Sequence, residues 1–385
     1  MDFELWYLAA VPLLFGAGWW LRGVDGRQRK EETHGLDDNY FKGLSLLLSD
    51  KPDKAIDHFM EVVRLDPETV DLHHALGNLF RFRGQFDQAI RIHENLVKRG
   101  ELSESERMLA LSELAQDFLK AGMYDRAQAA YEMLAQSKDR KLEALDALMH
   151  IFCTERDWVK AAETAETLEK DFGRDLSHEI SHYWCERAEL ARKSGDIARA
   201  REFLKNALTV KADNVRALAL TADLALSEGK TDEALAAWNR IEDDNPRYLS
   251  LIAAKKADVL AVRNRGVALA FLKKAFAETG SVDILAATVN RLDNWEGPAA
   301  AGAFAVAALR QKPSLSAFSV LCAMRRKENP ESEEAALLAD ITAKQAKKLG
   351  RYQCRHCGFL AHTFLWQCPG CETWDAFPPQ RIEES

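Results

Sequence analysis

Positive charge is in short supply in this sequence: 52 Lys and Arg stand against 60 Asp and Glu, a net charge of −8 over 385 residues. No cationic surplus exists to displace counterions from a polyphosphate backbone, which argues against general nucleic-acid binding. Also missing are a glycine-rich phosphate loop and any nucleophile, base and orienter at motif spacing, so none of the ordinary enzyme classes is expected. Cysteine is sparse along most of the chain. Cys153, Cys185 and Cys322 stand singly in helical sequence, as small core residues do in a reducing compartment. The other four crowd between positions 354 and 371.

What is abundant is repetition. In the stretch 70–103, Leu72, Leu76, Leu79 and Phe80 mark one helix face, Gly84 breaks the run, and Phe86, Ile90, Ile92, Leu96 and Val97 mark a second helix. Such a hairpin has two apolar flanks and needs a copy of itself on either side. The copies follow a column of alanines, Ala55, Ala89, Ala127, Ala161, Ala200, Ala234 and Ala268, at spacings of 34, 38, 34, 39, 34 and 34. Five positions earlier stand Gly84, Gly122, Gly195 and Gly229; four positions later stand Phe59, His93, Tyr131, Leu204, Trp238 and Leu272. Twelve positions earlier are Gly43, Gly77, Ala115, Ala188 and Ala222, small residues where helices must cross. These columns resemble the tetratricopeptide repeat, with seven units from about Leu36 to Thr279 and a weaker eighth ending near Pro313. The two long spacings read as insertions between units, near 99–106 and 172–178, where a loop can grow.

Ahead of the repeats, Leu5 to Leu21 holds 17 residues without a charge, flanked by Trp6, Tyr7, Trp19 and Trp20. At about 1.5 Å per residue that is roughly 25 Å, enough for a short membrane helix with aromatics at both rims. Asp2 and Glu4 precede it and Arg22, Arg27, Arg29 and Lys30 follow it, which directs the remainder to the cytoplasm by the positive-inside rule. A cleaved signal peptide would begin basic and end in small residues, the reverse of this pattern.

The expected domains are therefore an anchor at 1–21, a linker at 22–35, the repeat array at 36–313, closing helices at 314–349, a metal module at 350–379 and a tail at 380–385. In arrays of this kind the first helix of each unit lines a binding groove. Tyr40, Leu44, Leu47, His74, Asn78, Arg81, Phe82, Gln116 and Lys120 occupy such positions; Tyr40, His74, Asn78, Arg81, Gln116 and Lys120 are the candidate partner contacts.

The cysteine cluster carries the clearest chemistry. Tyr352-Gln353-Cys354-Arg355-His356-Cys357 is matched by Trp366-Gln367-Cys368-Pro369-Gly370-Cys371: an aromatic, a glutamine, then Cys-x-x-Cys. Each half reads as a knuckle, and two knuckles supply the four thiolates of a tetrahedral zinc or single-iron site at Cys354, Cys357, Cys368 and Cys371. His356 and His362 are nearby but superfluous. Four protein ligands leave no open position for catalytic water. A module of about thirty residues cannot fold on apolar burial alone. Phe359, Leu360, Phe364, Leu365, Trp374 and Phe377 exceed its capacity to hide them, so part of that surface is expected to dock on the last helices or on a partner.

Anchor, array and paired knuckles in this order resemble the lipopolysaccharide assembly protein B family of Gram-negative bacteria, whose end module is described as rubredoxin-like. The resemblance implies an all-α tetratricopeptide superhelix with an N-terminal transmembrane helix and a small β-rich rubredoxin-like or zinc-ribbon domain. It also implies a non-enzymatic inner-membrane adaptor that acts with the protease FtsH on the deacetylase LpxC, restrained by a lipopolysaccharide-sensing inner-membrane protein, with iron or zinc as its metal. The ten-residue gap between knuckles is shorter than in a true rubredoxin, and Glu372 stands where glycine is usual, which favours a structural over an electron-transferring metal. A redox or metal-sensing protein built on the same four cysteines is the alternative reading. A nucleic-acid ribbon using Lys347, Arg351 and Arg355 is disfavoured by the acidic total.

Overall fold

The computed structural model describes residues 42–43, 45–46, 52–65 and 70–384. The expected membrane span, the linker, Tyr40, Leu44 and Leu47 lie outside them. Among the described residues no helix is long and apolar enough to cross a membrane.

Helices follow one another with short turns: α1 (Pro52–Leu65), α2 (Val70–Phe82), α3 (Phe86–Val97), α4 (Glu104–Lys120), α5 (Tyr124–Leu134) and α6 (Lys141–Glu155) form one compact unit. A second unit begins at Arg156 with α7 (Trp158–Phe172), α8 (Ser177–Lys193), α9 (Ile197–Val210), α10 (Val215–Ser227), α11 (Thr231–Asp244) and α12 (Leu249–Arg263). It continues through α13 (Arg265–Thr279), α14 (Val282–Glu296), α15 (Pro298–Gln311), α16 (Leu315–Glu328) and α17 (Glu333–Leu349). The chain then enters the knuckle module, where β1 (Tyr352–Gln353) pairs antiparallel with β2 (Leu360–Ala361). The β content expected there is thus smaller than "β-rich" implies. Metal knuckles need only enough ladder to aim their sulfurs.

The sequence columns are packing columns. Every column alanine from Ala55 to Ala268 is at most 1% exposed, and Ala301 continues the series 33 residues on, which locates the weak eighth unit in α15. The large residues four positions later, from Phe59 to Leu272, are all buried. They seat on the small residues of the preceding helix: a Cβ on Gly43 would meet Phe59 at 2.8 Å, and one on Gly77 would meet His93 Nε2 at 2.4 Å. At the turn column the backbone is left-handed, φ +74° to +83° at Gly84, Gly122, Gly195 and Gly229. Arg156 holds φ +60° at the same column position, so the turn outlasts the loss of its glycine at a steric cost of about 1–2 kcal/mol.

The two insertions are not longer loops. The chain spends them on one additional turn at the start of a first helix: α4 and α8 have 17 residues each, against 13 in α2 and α10. A helical turn satisfies its own backbone groups, which an enlarged loop must satisfy with solvent or side chains. In α4 the added turn opens with a capping box between Ser103 and Glu106.

His93 cannot retreat from an intruding methyl, because it is fully buried and its Nδ1 lies 2.5 Å from Asp117 Oδ2. Gly77→Ala should therefore overpack the α2–α3 crossing and cost about 1–3 kcal/mol. A drop in the urea midpoint at unchanged slope would register this, and a midpoint at or above the parent's would contradict it.

Candidate metal centre

Each knuckle is a tight turn held by paired backbone bonds. The Gly358 N–H donates to Cys354 O at 3.0 Å and the Glu372 N–H to Cys368 O at 2.8 Å; the Cys354 N–H donates to Phe359 O and the Cys368 N–H to Thr373 O. Residues Gly358 (φ +78°) and Glu372 (φ +58°) occupy equivalent left-handed positions. Glutamate in place of glycine therefore leaves the turn intact. The second ladder is a single antiparallel bridge between Gln367 and Trp374.

These turns bring Cys354, Cys357, Cys368 and Cys371 together with all four sulfurs within 4.8 Å of one another. The Sγ separations are 3.7 Å for Cys354–Cys371 and 3.6 Å for Cys357–Cys368. A tetrahedron with metal–sulfur bonds of about 2.3 Å has edges of about 3.8 Å, so the four donors fit a tetrathiolate metal ion. Burial pushes the Cys368 thiol up to about 12, whereas hydrogen bonding with Thr373 brings Cys371 down to about 6. Four thiolates at one centre repel, and a cation between them is what stabilises the set. His356 and His362 are exposed and stand outside the cluster.

The module does not rest on the last helices alone. It lies along a row contributed by successive first helices: His182 of α8, Arg216 of α10, Ser250 of α12, Asp283 of α14 and Ser316 of α16, at steps of 34, 34, 33 and 33 residues. His182 Nε2 meets Asp375 Oδ2 at 3.1 Å. The Arg216 guanidinium lies 5.5 Å from the centre of the Trp374 ring. The Ser250 hydroxyl donates to Pro379 O at 2.9 Å. Asp283 receives Arg381 at 2.7 Å and the Tyr352 hydroxyl at 3.3 Å. The Ser316 N–H and hydroxyl both donate to Glu383.

Aromatic packing fills the spaces between these polar contacts. Trp374 stacks face to face on His182, with centroids 4.6 Å apart, and meets Trp158 and Tyr183 edge-on. Trp366 stacks on Tyr248 at 6.0 Å, with Phe364 edge-on to both. At the far end Glu384 accepts the Val282 N–H at 2.7 Å, an anion on the first residue of α14 where four N–H groups lack helical partners. Burial raises the carboxyl of Glu384 and lowers the imidazole of His182 from their ordinary ranges.

None of this row was among the candidate contacts read from the sequence. The available signal was the 34-residue step from His182 to Arg216 to Ser250, but their partners lie more than a hundred residues away in the chain. The candidate contacts that are described lie in the first unit, and most are engaged within it. His74 is 8% exposed, and burial lowers its imidazole below the ordinary range. Arg81 binds Glu113 and Asp117 and also donates to Asn78. Gln116 donates to Glu143. Lys120 is exposed and Phe82 is 80% exposed.

Stacked helical pairs with a tetrathiolate module define a tetratricopeptide-type repeat scaffold that carries a small metal-binding domain. Residues 352–379 match the family described as a rubredoxin metal binding domain, and 72–106 and 191–259 match tetratricopeptide repeat families. The chain is 30% identical to lipopolysaccharide assembly protein B of Escherichia coli K12 over 98% of both chains, and 27% identical to that of Haemophilus influenzae over 99% of both. It belongs to the lipopolysaccharide assembly protein B family. A solved structure of Naa15/Naa10 bound to HypK-THB shares the fold at a TM-score of 0.55 and 20% identity, over 85% of this chain and 48% of that one.

Proposed function

We propose that this protein is a bilayer-tethered adaptor that limits lipopolysaccharide synthesis by presenting the deacetylase LpxC to the membrane protease FtsH. Residues 5–21 serve as a single inner-membrane span with the array on the cytoplasmic side, and a lipopolysaccharide-sensing inner-membrane protein restrains the complex. The observation that carries this reading is kinship with lipopolysaccharide assembly protein B over the full length of both chains. The array supports it physically: tethering two proteins to one surface raises their effective concentration without any new contact. Because the row on the first helices of the second unit holds the chain's own module, clients are assigned to the first unit, where Phe82 and Lys120 are exposed.

The metal, iron or zinc, is assigned a structural role, since the residues around it are spent on docking. Elemental analysis of the purified protein identifies it, and a reversible redox potential would reverse the assignment of role. The adaptor reading is tested in cells by deleting residues 1–21. The truncated chain should stay folded while LpxC rises to the level seen without the protein; LpxC held at its normal level by the truncated chain would sink the tethering argument.

A further inference from the structure

The contact between array and module contains a second constellation of metal-ligand type, separate from the four cysteines. His178 and His182 sit at i and i+4 on α8, a spacing that puts both imidazoles on one face. Both direct Nε2 at the same atom, Asp375 Oδ2, at 3.5 Å and 3.1 Å. All three donor atoms lie within 4.8 Å of one another. With metal–nitrogen and metal–oxygen bonds of about 2.0–2.1 Å, a tetrahedral site has edges of about 3.3–3.4 Å, which the two measured edges bracket.

The donors are held in place before any ion arrives. Trp374 stacks on the His182 ring at 4.6 Å and 10°, and the two imidazoles meet edge-on at 4.8 Å. Asp375 adopts φ +49° and its N–H donates to Trp366 O at 2.7 Å, so its backbone is pinned within the module. His178 lies on the helical turn that α8 has and α10 lacks. Arg216, whose charge acts on His182, is already paired with Glu186 and Glu189. His182 is fully buried, whereas the His178 side chain is 36% and that of Asp375 27% exposed, which leaves one side open for a water ligand.

We infer that His178, His182 and Asp375 bind a divalent cation of the zinc type, with solvent as fourth ligand, which fastens the knuckle module to the repeat array. Two imidazole nitrogens and one carboxylate oxygen suit zinc among common biological cations; calcium and magnesium prefer all-oxygen sets. Such a cation bridges two parts of the chain nearly two hundred residues apart in sequence, and so acts as a removable staple on the docked state.

The experiment uses the full chain with its cysteine site already loaded with Zn²⁺, titrated with Co²⁺. One further equivalent should bind, showing ligand-field bands without thiolate-to-cobalt charge transfer. His178→Ala, a change at a partly exposed position, should weaken that equivalent about ten-fold or more while leaving the cysteine-bound metal in place, and Asp375→Asn should do the same. Hydrogen exchange in 372–384 should slow on addition of the second equivalent in the parent and not in either variant. No second equivalent in the parent, or a second equivalent unchanged by both substitutions, overturns the assignment. Either result leaves the adaptor reading untouched.

Discussion

Removing the tetrathiolate metal should unfold residues 350–384 and strip them from the array while α8 to α16 keep their amide protection. The module's own packed core is Tyr352, Cys354, Ala361, Cys368, Ala376 and Phe377, two of which are ligands. Its ladder is two residues per strand. No apolar core of that size offsets the conformational entropy of thirty residues. Structural zinc in comparable peptides contributes roughly 10–16 kcal/mol, which makes metal binding and folding one event here. Cys368→Ser, at a fully buried ligand, is the cleanest test. Hydrogen exchange should show protection lost throughout the module, and Trp158, Tyr183 and Tyr248 newly accessible. A module still protected in that variant would mean that docking alone folds it.

The second large effect is expected from Trp374→Ala. This ring is 7% exposed and is sandwiched among His182, Trp158, Tyr183 and the Arg216 guanidinium. Truncating a buried tryptophan costs about 3–5 kcal/mol, through lost transfer energy plus the cavity left behind. The loss falls on docking more than on metal binding, because Trp374 joins the knuckles through its backbone bridge to Gln367, which alanine retains. The variant should hold its cysteine-bound metal at the parent's stoichiometry yet release residues 350–384 to limited proteolysis. Loss of the metal together with the contact would show instead that the two cannot be separated.

The two variants distinguish the layers of one assembly. Cys368→Ser removes the fold of the module and with it the docked surface. Trp374→Ala removes the docked surface and spares the fold. If regulation in cells fails in both, the docked arrangement matters; if it fails only in the first, the knuckles have a duty elsewhere.

Much of this architecture could be read from residue spacing, because repeat packing is local. An alanine column, the large residue four positions on and the small residue twelve positions back all belong to one hairpin, so Gly77 and His93 announce their crossing within seventeen positions. The knuckles are equally local, as Cys-x-x-Cys closes its own turn, and even Glu372 at a left-handed position does not disturb it. Less local features cannot be read this way. The insertions form helical turns in α4 and α8 because a helix satisfies its own backbone, and His74, Asn78, Arg81 and Gln116 are packed or hydrogen-bonded within the first unit through residues three to thirty-six positions away.

By itself, then, the order of residues determined a stack of helical pairs, a four-sulfur site, and apolar rings on the module in excess of what it could cover. Where those rings go was decided only in three dimensions. His182, Arg216, Ser250, Asp283 and Ser316 fall on one line because the repeats stack in register, and that line meets residues 374–384 across separations of 67 to 193 positions. No periodicity within the chain encodes such a pairing: complementarity between two distant surfaces exists only once each has folded.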